Sequence, residues 1–263
     1  HHFVRQMLNE SSAGSNEFKF TSYEIDFGKW GNVNNEPLTK FQKAALKNLH
    51  TSWINIPHVT QHDEADITDL LHLRSRLQKK RYVKISPLAF FVKAISNTLL
   101  NFPLLNSSLN GDLDGIVIKD YINIGIAVDT SYGLIVPSIK DVHNLGIIGI
   151  AEEIIHLAEL AKARKLTASE LQGGSFSVSS LGGIGGKFFT PIINPPEVGI
   201  LGISKTFKKL CLINKQLENR TYLPLSLSYD HRVINGAYAA SFIAALTKSL
   251  SNTDWIEENM DHG

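Results

Sequence analysis

The stretch LPLSLSYDHRVINGAYAASF, Leu223 to Phe242, runs from an apolar strand through a charged junction into a helix. The helix begins after Gly236, and Ala239, Phe242, Ile243, Leu246 and Leu250 fall on one of its faces. Asp230, His231 and Arg232 stand in a row between the two elements. Charged residues at a strand end are often only solvated loop. What His231 does therefore depends on what the rest of the chain brings to it.

Working outward, helical and strand patterns mix along the chain. PLTKFQKAALKNLHTSW puts Leu38, Phe41, Ala45 and Leu49 on one helical face. WINIPHVTQHDEAD, with β-branched residues and a proline, suits a strand near a sheet edge. DITDLLHLRSRLQKK is a helix with acids early and bases late, matching its dipole. In SPLAFFVKAISNTLLNFP, Ser86 caps a helix, Pro87 opens it and Pro103 lies just past its end. DYINIGIAVDT alternates Ile122, Ile124, Ile126 and Val128 against Asn123, Gly125 and Ala127, and reads as one strand pairing with GLIVPSIKD through a turn at Thr130 to Gly133. A long helix follows from Ile147 to Lys165, then a short one opened by the capping box TASE at Thr167 to Glu170. GSFSVSS, EVGILGIS and YLPLSLSY supply the remaining strands. The fold class expected is α/β, a two-layer sandwich of a mixed sheet covered by helices.

Composition narrows the function classes. The 263 residues are 43% hydrophobic and 19% charged, with a formal net charge of +1. No global field favours nucleic acid or an anionic membrane, and no apolar run is long enough for a transmembrane helix. The single cysteine, Cys211, excludes an internal disulfide framework, fits a reducing compartment, and reads as a buried inert thiol in LCLIN. The opening HHFVRQMLNESSAGSNEF lacks signal-peptide design. Residues 1–20 read as a flexible linker with a tag remnant, and 21–263 as one domain.

Three constellations invite chemistry and are set aside. His58 and His62 are four residues apart, but on a strand that spacing spans about 13 Å, too far to share a metal. SLGGIGGKFF has neither GxGxxG nor a GK[ST] ending, and a close approach to a ligand or another chain explains its glycines better. Ser179 or Ser180 with His231 and Asp230 could form a hydrolase set, but the serine lacks a GxSxG elbow. Asp230 and His231, as adjacent strand residues, also point to opposite faces. On residue chemistry alone, His231 is open between a general base and a satisfied structural histidine.

The motif DHRVING resembles the HxxxDG signature of the chloramphenicol acetyltransferase-like superfamily. The wider likeness is to the catalytic domain of dihydrolipoamide acyltransferases, the core of 2-oxo acid dehydrogenase complexes. It is carried, in order, by PLTKFQKAALKNL, IPHVTQHDEADIT, FPLLNSSL, IGIAVDTSYGLIVPSI, FSVSSLGGIGGKFFTPIINPPEVGILGISK and LPLSLSYDHRVINGA. The resemblance implies that His231 is the general base and Ser179 the donor to the oxyanion. Asn235 stands where the family has aspartate, a departure that puts in doubt any scheme needing a charged partner for His231. Lys205 matches a lysine near coenzyme A.

The implied reaction exchanges an acyl group between dihydrolipoamide and coenzyme A, with the lipoyl group on a separate domain outside this chain. SSLGGIGG points to acetyl transfer and a pyruvate dehydrogenase complex; the alternatives are succinyl transfer in a 2-oxoglutarate complex, or a catalytically inactive structural core. The resemblance further implies homotrimers building a cubic or dodecahedral core. It implies partnership with lipoyl domains, and with pyruvate dehydrogenase and dihydrolipoamide dehydrogenase components through missing N-terminal domains. The location implied is a bacterial cytoplasm, or a mitochondrial matrix in a eukaryote.

Overall fold

The computed structural model of the chain describes residues 25–81 and 85–261, and these fall into two units, 25–37 and 38–261. The smaller unit holds a 3₁₀ turn, Phe27–Trp30, whose entry is capped where Asp26 Oδ1 accepts from Gly28 N. The expected linker over residues 1–20 lies outside the described residues.

The larger unit begins with α1 (Lys40–Asn55), opened by a reciprocal cap in which Thr39 N donates to Gln42 Oε1 and Gln42 N to Thr39 Oγ1. The helix forms where its sequence indicates, but Leu38 and Leu49 are exposed and only Ser52 is fully buried. Its apolar stripe does not serve this chain's core. Next come β1 (His58–Asp66), α2 (Thr68–Arg81) and α3 (Pro87–Leu99), the last capped by Ser86 Oγ accepting from Leu88 N. Short strands follow: β2 (Ser107–Leu109), β3 (Ile116–Ile118), β4 (Ile124–Ile126), β5 (Val128–Thr130), β6 (Gly133–Ile135) and β7 (Ser138–Ile139). Then come α4 (Ile147–Lys162), α5 (Ala168–Leu171), β8 (Phe176–Ser180), β9 (Gly199–Ile203), β10 (Phe207–Ile213) and β11 (Gln216–Asp230). The helices α6 (Gly236–Ser251) and α7 (Asp254–Glu258) follow.

The principal sheet runs β1-β11-β9-β8-β4-β7, with β10 added to β11. β4, β8 and β9 are mutually parallel and the other pairs antiparallel, so the sheet is mixed, with β1 at its edge as expected. One face carries Phe176, Val178, Leu201, Ile203, Leu223, Leu225, Leu227 and Tyr229 into the core against the helices. From α6, Ala239, Phe242, Ile243, Leu246 and Leu250 are buried there, the face its spacing predicts. Each large apolar side chain so buried contributes about 2 kcal/mol. The opposite face is more polar: Thr60 Oγ1 meets Ser228 Oγ at 2.8 Å, and His62 Nδ1 meets Ser226 Oγ at 2.9 Å.

Some expectations change. DYINIGIAVDT is two strands in two sheets, because after Ala127 N donates to Val178 O the chain leaves β8 and turns into the β5–β6 hairpin. Its polar positions differ: Asp120 and Asp129 are exposed, Asn123 is not. Asn123 is buried, accepting from Asp141 N and donating to Gly173 O. The strand β10 was not expected. With the first part of β11 it forms a two-stranded arm beyond the reach of β1, which stops at Asp66 opposite Tyr222. Cys211 lies on this arm and is half-exposed rather than buried, its Sγ 3.5 Å from Tyr222 Oη. Leu210, Leu212 and Leu217 share one face of the arm at 61%, 71% and 68% exposure. The turn at its tip places Asn214 and Lys215 at φ +50° and +65°.

Candidate active site

The junction that opened the sequence folds around Asp230. Its carboxylate is 2% exposed and takes both Nε and Nη2 of Arg232, at 2.9 and 2.6 Å. It also accepts from Arg232 N, and the acid raises the arginine's pKa. The aspartate is therefore committed to its arginine, which removes it from any triad with His231. The backbone tightens further, with Asp230 N donating to Val198 O, and Val233 N and Ile234 N donating to Asp230 O.

His231 is held by its main chain and free at its ring. Its N–H donates to Pro57 O at 3.1 Å, which ties the junction to the start of β1. The imidazole is exposed, 5.9 Å from the Tyr229 ring, and makes no hydrogen bond among the described residues. Four residues on, Asn235 Oδ1 accepts from Tyr238 N at 2.9 Å and caps α6. Aspartate and asparagine serve about equally well as N-caps, so this role needs no charge. Asn235→Ala is expected to lower stability by about 1 kcal/mol and Asn235→Asp to leave it near wild type, measured by urea unfolding.

Ser179 is half-buried on β8, on the sheet face away from the helices, and makes no hydrogen bond through its hydroxyl among the described residues. It stands in one row with Gly202, Ser226 and His62 across β9, β11 and β1. Phe189 lies over Gly202, where an added Cβ would come within 2.7 Å of the ring. Phe188 packs on His62 and Lys187 pairs with Glu64 at 2.9 Å, so the glycine-rich segment is fastened along β1. Around Gly183, Gly185 and Gly186 no atom of the chain lies within 4 Å of an added Cβ. The close approach expected there is not made within this chain; at Gly186, φ +81° itself favours glycine.

The pairing register shows which candidates come together. Ser179 is level with Ser226, and Asp230 is four residues further along β11. That is about 13 Å along the strands and about 10 Å across two strand spacings, so Ser179 and the His231 junction are roughly 16 Å apart. Lys205, exposed just after β9, lies at the Ser179 end, while His231 and Asn235 share the other. His58 and His62 occupy separate rows, and His58 is spoken for, accepting from Ile193 N at Nε2 and meeting Ile56 O through Nδ1. Among the described residues no cluster of His, Cys, Asp or Glu could hold a metal ion. Reading the sequence did not anticipate the Pro57 and Val198 carbonyls that position the junction, since main-chain acceptors carry no residue signature.

Residues 31–256 match the family described as 2-oxoacid dehydrogenases acyltransferase (catalytic domain). The chain is 50% identical over 222 residues to the dihydrolipoyllysine-residue acetyltransferase component of the pyruvate dehydrogenase complex of Cupriavidus necator, covering 83% of this chain and 40% of that protein. It is 45% identical over 234 residues to the component of the same name from Haemophilus influenzae, covering 87% and 41%. The chain thus spans about two fifths of those relatives' length. The solved cubic core of the pyruvate dehydrogenase multienzyme complex superposes with TM-score 0.86 at 44% identity, over 90% of this chain and 98% of that one. A structure of Azotobacter vinelandii dihydrolipoamide acetyltransferase, from an investigation of a serine, a histidine and an asparagine in its catalytic mechanism, gives 0.86 at 43%, with the same coverage. Those three residues have the same separations along their chain as Ser179, His231 and Asn235 have here. Chloramphenicol acetyltransferase, at 12% identity and TM-score 0.51, shares the fold. With this match across most of its length, the chain belongs to the family of 2-oxoacid dehydrogenase acyltransferase catalytic domains.

Proposed function

We propose that the chain moves an acetyl group between coenzyme A and a dihydrolipoyl group, as the catalytic domain of a pyruvate dehydrogenase core. The observation that carries this is the exposed imidazole of His231, without a hydrogen bond among the described residues and placed beside the α6 cap by the bond from His231 N to Pro57 O, in a chain with the Ser, His and Asn separations of the Azotobacter enzyme. Because that enzyme also has asparagine after the histidine, Asn235 argues neither for a lost activity nor for a scaffold role.

The chemistry follows from the groups present. A free thiol is mostly protonated near neutral pH, and the thiolate is the nucleophile. Neutral imidazole is the side chain suited to accept that proton. His231 takes it as sulfur attacks the thioester carbonyl, and the Ser179 hydroxyl donates to the oxyanion of the tetrahedral intermediate. On collapse, the carbon–sulfur bond to the departing thiol breaks and imidazolium returns the proton to that sulfur. The same two residues serve both directions.

The separation of roughly 16 Å within one chain supports a site shared between chains of a homotrimer: Ser179 from one and His231 with Asn235 from its neighbour. Lys205, on the Ser179 side, would meet coenzyme A. Likeness to the cubic core favours assembly of such trimers into a cube over a dodecahedron. The lipoyl group would arrive on separate domains. The pyruvate dehydrogenase and dihydrolipoamide dehydrogenase components would attach outside this chain, in a bacterial cytoplasm. No described helix is long and apolar enough to cross a membrane.

The test is transfer to free dihydrolipoamide from acetyl- and succinyl-coenzyme A in parallel. An acetyl preference of at least about tenfold in kcat/KM is expected, within the range a small pocket difference provides. A succinyl preference would move the protein to the 2-oxoglutarate complex, and no transfer from an assembled trimer would overturn the proposal.

A further inference from the structure

Beside Gly174, just before β8, lies a buried carboxyl that the acyl-transfer steps do not use. Glu197 precedes β9 and is 3% exposed. Its Oε1 accepts from Asn194 Nδ2 at 3.2 Å, while Oε2 is buried and without a partner of regular geometry. Ser177 Oγ is another buried oxygen without a partner, and its hydroxyl, like Asn194, pulls the carboxyl's pKa down against the burial that raises it. Two glycines make room for the pair. A Cβ on Gly125 would stand 2.8 Å from Ser177 Oγ, and one on Gly174 would stand 2.8 Å from Glu197 Oε1 and 3.0 Å from Ser138 Oγ.

Among the described residues no cation lies within ion-pair distance of this carboxyl. Lys119 acts on it only from a distance and gives its ammonium to Ser107 O. Lys140, following β7, gives its ammonium to Gln172 O. An isolated ionised carboxylate in such a place is strongly disfavoured, and burial pushes the group up to about 7.

We propose that Glu197 is carried as a neutral carboxylic acid whose Oε2–H donates to Ser177 Oγ, and that this bond aligns β8 and so positions the hydroxyl of Ser179. The protonated form would use both atoms: Oε1, the carbonyl oxygen, accepts from the Asn194 amide, and a hydrogen on Oε2 would go to Ser177 Oγ, Oε2 and Oγ being otherwise without a partner. Ser177 and Ser179 are two apart on one strand and face the same side of the sheet. A shift of the first carries the second. Glu197 is thus a positioning residue; its kinetic consequence rests on the acyl-transfer reading, while its protonation and its hold on β8 do not.

The sign of the pH dependence follows. With a folded-state pKa above its ordinary value of 4.5, the proton stabilises the folded chain fully below about 4.5. That contribution is lost as pH rises to about 7 and is flat beyond.

The experiment compares the full chain with Glu197→Gln, Glu197→Ala and Ser177→Ala. The infrared carbonyl stretch of a protonated carboxylic acid should be present in wild type at pH 6 and missing from Glu197→Gln, which should also lose this slope of stability with pH. Amide hydrogen exchange across Ser177–Ser180 should speed up at least about tenfold in Glu197→Ala or Ser177→Ala, and little in Glu197→Gln. In acetyl transfer, Glu197→Ala should lose about tenfold or more in kcat with KM nearly unchanged, and Glu197→Gln should restore most of it. No protonated-acid band in wild type, or unaltered exchange in both Glu197→Ala and Ser177→Ala, would overturn the proposal. Failure of Glu197→Ala to fold leaves Ser177→Ala to decide. A wild-type chain inactive in transfer, with band and exchange as expected, would refute the acyl-transfer reading and not the anchoring of β8.

Discussion

Replacing His231 with alanine is expected to lower kcat for acetyl transfer by about 10²–10⁴-fold, the worth of a positioned general base. The loss should fall on kcat rather than KM, because the imidazole acts as the proton moves and not when coenzyme A binds. Thermal stability should stay near wild type: the ring is exposed, and the junction is held through His231 N and the Asp230–Arg232 pair, which alanine leaves intact. Steady-state transfer to dihydrolipoamide and a melting curve on the same preparation check both parts. Near-normal turnover would take His231 out of the mechanism.

Ser179→Ala should cost about 10²–10³-fold in kcat, the loss of one oxyanion donor. A second result follows from the two residues standing at opposite ends of one sheet. Mixing Ser179→Ala and His231→Ala chains in equal amounts, unfolding and reassembling them, should recover about a quarter of wild-type activity. At random association, about a quarter of the interfaces join an intact serine to an intact histidine, since each site of a cyclic trimer uses both sides of one contact. Reassembled mixed trimers that remained inactive would place both residues in one chain's site, against the pairing register.

The sequence disclosed most clearly the elements whose burial is one-sided and local. The five buried residues of α6 were legible because a helix with one face on the core writes its period into the chain. The cap at Ser86 and the bonds that Thr167 N and Oγ1 give to Glu170 Oε2 were legible because caps depend on neighbours only. The arm was not. FKKLCLI alternates leucines with lysines and a cysteine, its leucines face outward, and its turn uses Asn214 and Lys215 with positive φ where glycine would have announced it. DYINIGIAVDT pairs with GLIVPSIKD as expected, but its alternation hid that Asn123 and Gly125, polar or small, are buried along with the isoleucines around them. The candidate site residues His231, Ser179, Asn235 and Lys205 were picked out by motif. That they divide into two ends could not be read that way, since it follows from the insertion of β9 between β8 and β11. The Asp230–Arg232 pairing needed only the two-residue spacing and was within reach.

The pairing of β1 with β11 joins residues 58–66 to residues 222–230, and it sets the timetable on which the chain becomes a protein. β1 leaves the ribosome early but has no sheet to join until the last long strand has been made. Only then does Pro57 meet His231, so the His231 junction is among the last contacts to form. Closing so long a loop before any contact rewards it is slow. Until then, β1 and β9 present open hydrogen-bonding edges of the kind that recruit other chains. A chain stopped before Gln216 would keep α1 to α5 and its parallel strands β4, β8 and β9, yet lack α6, α7 and the strand that joins β1 to the sheet. It is the interval before β11 arrives that a chaperone would have to cover.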